Sequence, residues 1–170
     1  RARTADGHQV AVKVLHQELG DNAELKERFQ REIQALFALR HPNILAAHDA
    51  GIVDGSPYLV MELLDGHPLD KYIEDQPADP QIAVGIMRQI LTGLAFAHAK
   101  GAAHRDLKAE NVFLAKHGSH TDYVKIVDFG ISKMLDEPEV EGGKSSHSLT
   151  KTGAAMGTPY AMAPEQMKGL

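Results

Sequence analysis

The sequence predicts an α+β chain of two lobes: a small antiparallel-sheet lobe carrying one helix, then a mainly helical lobe. Three observations predict it. QVAVKVL, residues 9–15, alternates, with Val10, Val12 and Val14 on one face and Ala11, Lys13 and Leu15 on the other. Two later apolar runs are joined by an Asp-Gly pair, a hairpin signature. From residue 80 a long, nearly unbroken apolar stretch follows a helix-start signal.

Each element can be justified in turn. Asp21 with Glu24 three residues on forms a capping box. It opens an amphipathic helix with Leu25, Phe29, Ile33 and Leu36 or Phe37 on its inner face. His41-Pro42-Asn43 is expected to stop that helix, since a proline pushes its predecessor out of the α region. NILAAHDAGIV (43–53) and PYLVMEL (57–63), joined by DGS, read as the hairpin. The character changes after LLDG, so residues 1–61 are assigned to the first lobe, 62–66 to a hinge and 67–170 to the second. Asp79 as cap and Pro80 at the first helical position start the long helix, and Lys100 and Gly101 end it. Its Ile82, Ile86, Ile90 and Leu94 are spread round the circumference, which predicts a helix central to a core. NVFL and YVKIVDF follow as short strands, and residues 132–156 are polar with little to bury.

Bulk composition excludes more than it assigns. The 170 residues are 43% hydrophobic and 24% charged, ordinary values for a globular protein. A net charge of −5 argues against a general nucleic-acid binder or a polybasic membrane patch. With no cysteine there are no disulfides or thiolate metal sites. The segment RARTADGHQ is no signal peptide, and the chain reads as a piece of something longer. His117 and His120 in HGSH lack an evident third ligand, and the acidic run 136–143 reads as a solvated loop.

HRDLKAENVFL (104–114) fits neither a helical nor a strand period, so it reads as a charged loop feeding a buried strand. That much charge beside a core needs a reason. VAVK (10–13), HRDLKAEN (104–111), DFG (128–130) and APE (163–165) supply one, in that order. With them the chain resembles the protein kinases. DFGISK, APEQ and LTKTGAAMGT are most similar to the bacterial eukaryotic-like (Hanks-type) Ser/Thr branch, and the resemblance covers essentially the whole chain.

The resemblance implies a two-lobed protein-kinase-like fold truncated at both ends, with catalytic loop 104–111 and activation segment 128–165. It implies transfer of the ATP γ-phosphate to protein Ser or Thr hydroxyls, in signalling. Asp106 would be the base, Lys108 would face the phosphate, and Asn111 and Asp128 would bind Mg2+, with Mn2+ an alternative. Lys13 would hold the ATP phosphates, oriented by Glu32. Ala11 and Phe113 would enclose adenine, the Glu62 and Leu64 backbones would hydrogen-bond it, and Asp65 would reach the ribose. Arg105 would pair with a phosphate on Thr150 or Thr152, with Ser145, Ser146 and Ser148 as alternatives, and His104 would serve packing. The expected partners are ATP, protein substrates and a second kinase copy for autophosphorylation. No nucleic acid or membrane contact is expected, and the expected location is cytoplasmic, with any anchor outside this segment. The competing readings are a pseudokinase or scaffold, and a fragment of low activity.

The pattern departs from the family's in places. The glycine-rich phosphate loop would precede Arg1, and the partner of Glu165 would follow Leu170. GTPYAMAPE sets Tyr160 one place early and leaves Ala161 where the family's tyrosine would wall the substrate site. Ala109 replaces a common proline.

Overall fold

The computed structural model describes residues 1–14, 23–75, 79–117 and 120–129. The features expected at Leu15, Asp21, the tip at 118–119 and every position from Gly130 onward lie outside them. These include Thr150, Thr152, the three serines, Tyr160, Ala161 and Glu165.

Short strand β1 (Ala2–Arg3) lies antiparallel on β2 (Gln9–Val14). The alternation of β2 is realised only in part: Ala11 packs on the core and Val12 and Val14 stay exposed, but Val10, expected on their face, is buried. Helix α1 (Ala23–Phe37) buries Phe29 and Ile33. With Leu59 and Met61 they form the first hydrophobic cluster. The helix ends short of the Pro42 stop. Ala38 and Leu39 tighten its last turn, and Leu39, 4% exposed, drops into the second cluster.

Strands β3 (Ala47–Val53) and β4 (Ser56–Glu62) form the expected hairpin. Asp54 and Gly55 turn with φ of 50° and 78°, the two positive values of the twist-matched two-residue loop. β3 starts later than its apolar run suggested. Ile44 instead makes an isolated parallel bridge to Ile126, so the run is split between two sheets. The first sheet has the order β1-β2-β4-β3.

β5 (Gly66–Pro68) and α2 (Leu69–Asp75) were not foreseen. Gly-His-Pro reads as a loop, yet Pro68 is tolerated because β5 is an edge strand. Gly66 has φ 148°, and a Cβ there would meet the Leu114 carbonyl oxygen at 2.0 Å, so only glycine fits.

Helix α3 (Pro80–Ala99) begins as expected: Asp79 Oδ1 accepts from Gln81 N at 2.7 Å. Its expected all-round burial is not observed among the described residues. Ile86, Ile90, Gly93 and Ala97 face the core, whereas Val84, Met87 and Leu91 are 68%, 53% and 58% exposed. The helix is long and apolar enough to cross a membrane by length and composition. Here it packs on a sheet: Gly93 brings its backbone close to Ile126, and Gln89 bonds Asp122 O and Val124 N. After a 3-10 turn (Ala109–Asn111), β6 (Val112–His117) and β7 (His120–Ile126) complete the second sheet, β5-β6-β7. Ile44, Leu114, Val124 and Ile126 are the fully buried centre between this sheet and α3.

Candidate active site

The loop between α3 and β6 owes its shape to its own polar groups. His104, 3% exposed, donates Nε2–H to the Val127 carbonyl at 2.8 Å, and its Nδ1 lies 3.4 Å from the Asp106 amide. Its ring packs on Phe129 with centroids 4.7 Å apart. Both nitrogens are thus occupied in structure, and His104 braces the loop. Asn111, 8% exposed, donates Nδ2–H to the Asp106 carbonyl at 2.8 Å, with the Asp106 carboxylate 3.4 Å away. Lys108 Nζ stands 3.6 Å from Asp106 Oδ2. Lys108 and Asn111 are therefore drawn round one carboxylate, that of Asp106.

A backbone bond ties this cluster to the next candidate. Val127 N donates to Asn111 O at 2.9 Å, so Asp128 follows directly beside the loop. Asp128 and Arg105 have φ of 58° and 63°, a region that costs non-glycine residues strain and recurs at functional sites. Across from the loop, Lys13 on β2 donates to Asp128 Oδ1 at 2.5 Å. A small apolar cavity of about 30 Å3 lies behind this pair, lined by Phe29, Ile33, Leu59 and Met61.

Glu32 is not brought to Lys13. Among the described residues Lys13 pairs with Asp128 instead. Glu32 lines a separate cavity of about 330 Å3 with Leu36, Lys100, Arg105 and Phe129. The reason is rotational: with Phe29 and Ile33 filling the space against the sheet, Glu32 lies one position round the helix.

The expected adenine residues surround the junction of the two sheets. Ala11 pairs with Met61 on β4, and Phe113 pairs with Pro68 and Lys125. Half-buried Leu64 lies in the connector. The Asp65 carbonyl accepts from Lys116 N at 2.8 Å, and its exposed carboxylate lies 3.4 Å from Lys116 Nζ. The Glu62 amide is committed to Ala46 O at 3.0 Å. Sequence reasoning missed what the Glu62 side chain does: Oε1 accepts from Lys125 Nζ at 2.6 Å and from Ala46 N at 2.7 Å. The available signal was Lys125 itself, a charge set between the apolar residues of YVKIV.

The donor set suits a hard cation. The Asn111 amide nitrogen is held by Asp106, which leaves the carbonyl oxygen as its free-standing donor, and Asp128 follows one residue after the Val127–Asn111 backbone bond. A pair of oxygen donors, with water and phosphate oxygens completing the shell, is how Mg2+ is usually held. Among the described residues no cluster of three or more His, Asp or Glu side chains offers an all-protein site.

Comparison with known proteins agrees with this geometry. The family model described as "Protein kinase domain" matches residues 1–169. Serine/threonine-protein kinase Pkn1 of Myxococcus xanthus is 39% identical over 163 residues, covering 96% of this chain and 22% of Pkn1. PknB of Mycobacterium leprae is 38% identical, covering 94% of this chain and 25% of that protein. The chain thus spans about a quarter or less of these relatives' lengths. The crystal structure of the Mycobacterium tuberculosis PknI kinase domain superimposes with a TM-score of 0.60 at 34% identity, over 72% of this chain and 49% of that one.

Proposed function

This chain belongs to the protein kinase family, and from that premise we propose that it carries the catalytic core of a bacterial-type serine/threonine protein kinase using ATP and Mg2+. The observation that carries the reading is the cluster of Lys108 and Asn111 on the Asp106 carboxylate, with the Val127 amide bonded to Asn111 O so that Asp128 follows beside it, and Lys13 paired to Asp128.

In this reading Asp106 accepts the proton of a substrate Ser or Thr hydroxyl and aligns its oxygen on the γ-phosphorus. That O–P bond forms while the bond to the β–γ bridging oxygen breaks, and ADP leaves with the electron pair. Lys108, 22% exposed beside Asp106, offsets charge on the transferring phosphoryl group. Lys13 exchanges its Asp128 partner for phosphate oxygens when nucleotide enters. Asn111 and Asp128 hold the metal, which neutralises phosphate charge when bound. Phosphorylation of Thr150 or Thr152, a second copy for autophosphorylation and a cytoplasmic location belong to the same proposal.

The test is Asp106→Asn in the full-length protein. Transfer to a protein substrate should fall about 10^2–10^4-fold, the range for loss of a general base. Binding of a fluorescent ATP analogue should change less than about twofold. Transfer near the parent rate would remove Asp106 from the mechanism.

A further inference from the structure

We propose that Glu62 and Lys125 form a strut across the nucleotide cleft, making Lys125 a positioning residue for ATP; the inference rests on the kinase reading above. Glu62 is the last residue of β4, where the chain leaves the first sheet. Lys125 lies on β7 of the second sheet, three positions before Asp128. Their 2.6 Å contact therefore spans the two walls between which nucleotide would sit.

The contact is well sheltered. The side chains are 13% exposed for Lys125 and 26% for Glu62, unlike the pair Lys71–Glu74 at 60% and 63%. A charge so far out of water is tolerated only with a partner, and at this burial the attraction is little screened. The same Glu62 oxygen accepts from Ala46 N, while the Glu62 amide donates to Ala46 O. One carboxylate thus joins the approach to β3, the end of β4 and β7.

The strut reaches both halves of the cleft. Lys125 lies directly opposite Phe113, so the two share a face of the second sheet. Lys125 is also joined to Asp128 by rigid backbone that passes through the Ile126 and Val127 hydrogen bonds. Shortening or lengthening the Glu62–Lys125 distance moves the connector relative to Phe113 and Asp128 together. Nucleotide affinity should respond to that spacing, while the chemistry, set by the Asp106–Lys108–Asn111 cluster, should not.

The experiment compares Lys125→Met and Lys125→Arg in the full-length protein. Steady-state transfer is measured against ATP concentration, with binding of a fluorescent ATP analogue alongside and thermal melting to confirm folding. Methionine keeps the volume and removes the charge; arginine keeps the charge. Lys125→Met should raise the ATP KM and the analogue Kd about five- to tenfold with kcat within about twofold. Lys125→Arg should return KM to within about twofold of the parent. Unchanged KM and Kd in folded Lys125→Met, a fall confined to kcat, or no recovery with arginine would overturn the strut. A parent that binds the analogue without transferring phosphate would overturn the kinase reading, leaving the Kd comparison to decide the strut. A parent that binds no nucleotide would overturn both.

Discussion

The loop at 104–111 and helix α1 both carry charged candidate residues, yet they are held in different ways. In the loop the described contacts around Asp106 are local, while His104 reaches on to the Val127 carbonyl. Asn111 reaches Asp106 five residues back, and the Asn111 amide bonds Lys108 O at 2.9 Å. The chain needs only to turn tightly for the group to assemble. Glu32 depends on the rotation and height of a whole helix, which apolar packing fixes first. The loop is thus assembled without any ligand, whereas the Lys13–Glu32 pairing needs a helix shift. A shift of that kind is a two-state event between packed arrangements, and nucleotide would favour the state in which Lys13 leaves Asp128.

The largest expected effect comes from breaking the assembled side. Asn111→Ala removes the Asp106 brace and, in the proposed reading, a metal oxygen. Transfer should fall about 10^2–10^3-fold, the scale of losing one charge-stabilising group. Chemical denaturation should show a loss of about 1–3 kcal/mol, because its buried partners lose their bonds. A variant with near-parent transfer would place the metal elsewhere.

Glu32→Gln sharpens the other side. In the described arrangement Glu32 touches no nucleotide group, so analogue binding should stay within about twofold of the parent. Turnover should drop about tenfold, since the shifted helix would offer Lys13 a weaker partner. Equal turnover in parent and variant would mean that α1 never swings to Lys13.

The smallest effect lies away from both regions. Asp79→Ala deletes the α3 cap and should cost about 1 kcal/mol in denaturant titration without changing the ATP KM. A changed KM would show that α3 and the cleft are not independent.

Local signals were legible in the sequence, and long-range ones were less so. The Asp54-Gly55 turn and the Asp79-Pro80 start each carry their cause within a few residues, and the structure matches them, while in the loop 104–111 the Asn111–Asp106 bond is local but the His104 anchor lies at Val127. The split of the run at 43–53 could not be read. Ile44 is bridged to Ile126, eighty-odd positions away, through its neighbours Asn43 and Leu45, and periodicity carries no memory of that partner. Helix α2 was too short to show a period, and β5 is held by the close approach at Gly66. The missing Glu32 contact is a matter of rotation, which residue spacing alone does not fix.

One small feature has a mechanical consequence. Asn43 O accepts from Ile126 N at 2.8 Å, and Leu45 N donates to Ile126 O at 2.9 Å, so the two sheets share one buried rung. Stretching it would break two sheltered hydrogen bonds at once, whereas turning about it breaks neither. The rung is an axle. Asp128 sits two residues from it, while Lys13 lies on the first sheet. Opening about it would carry Lys13 away from Asp128 while Asp128 stays close to the axle.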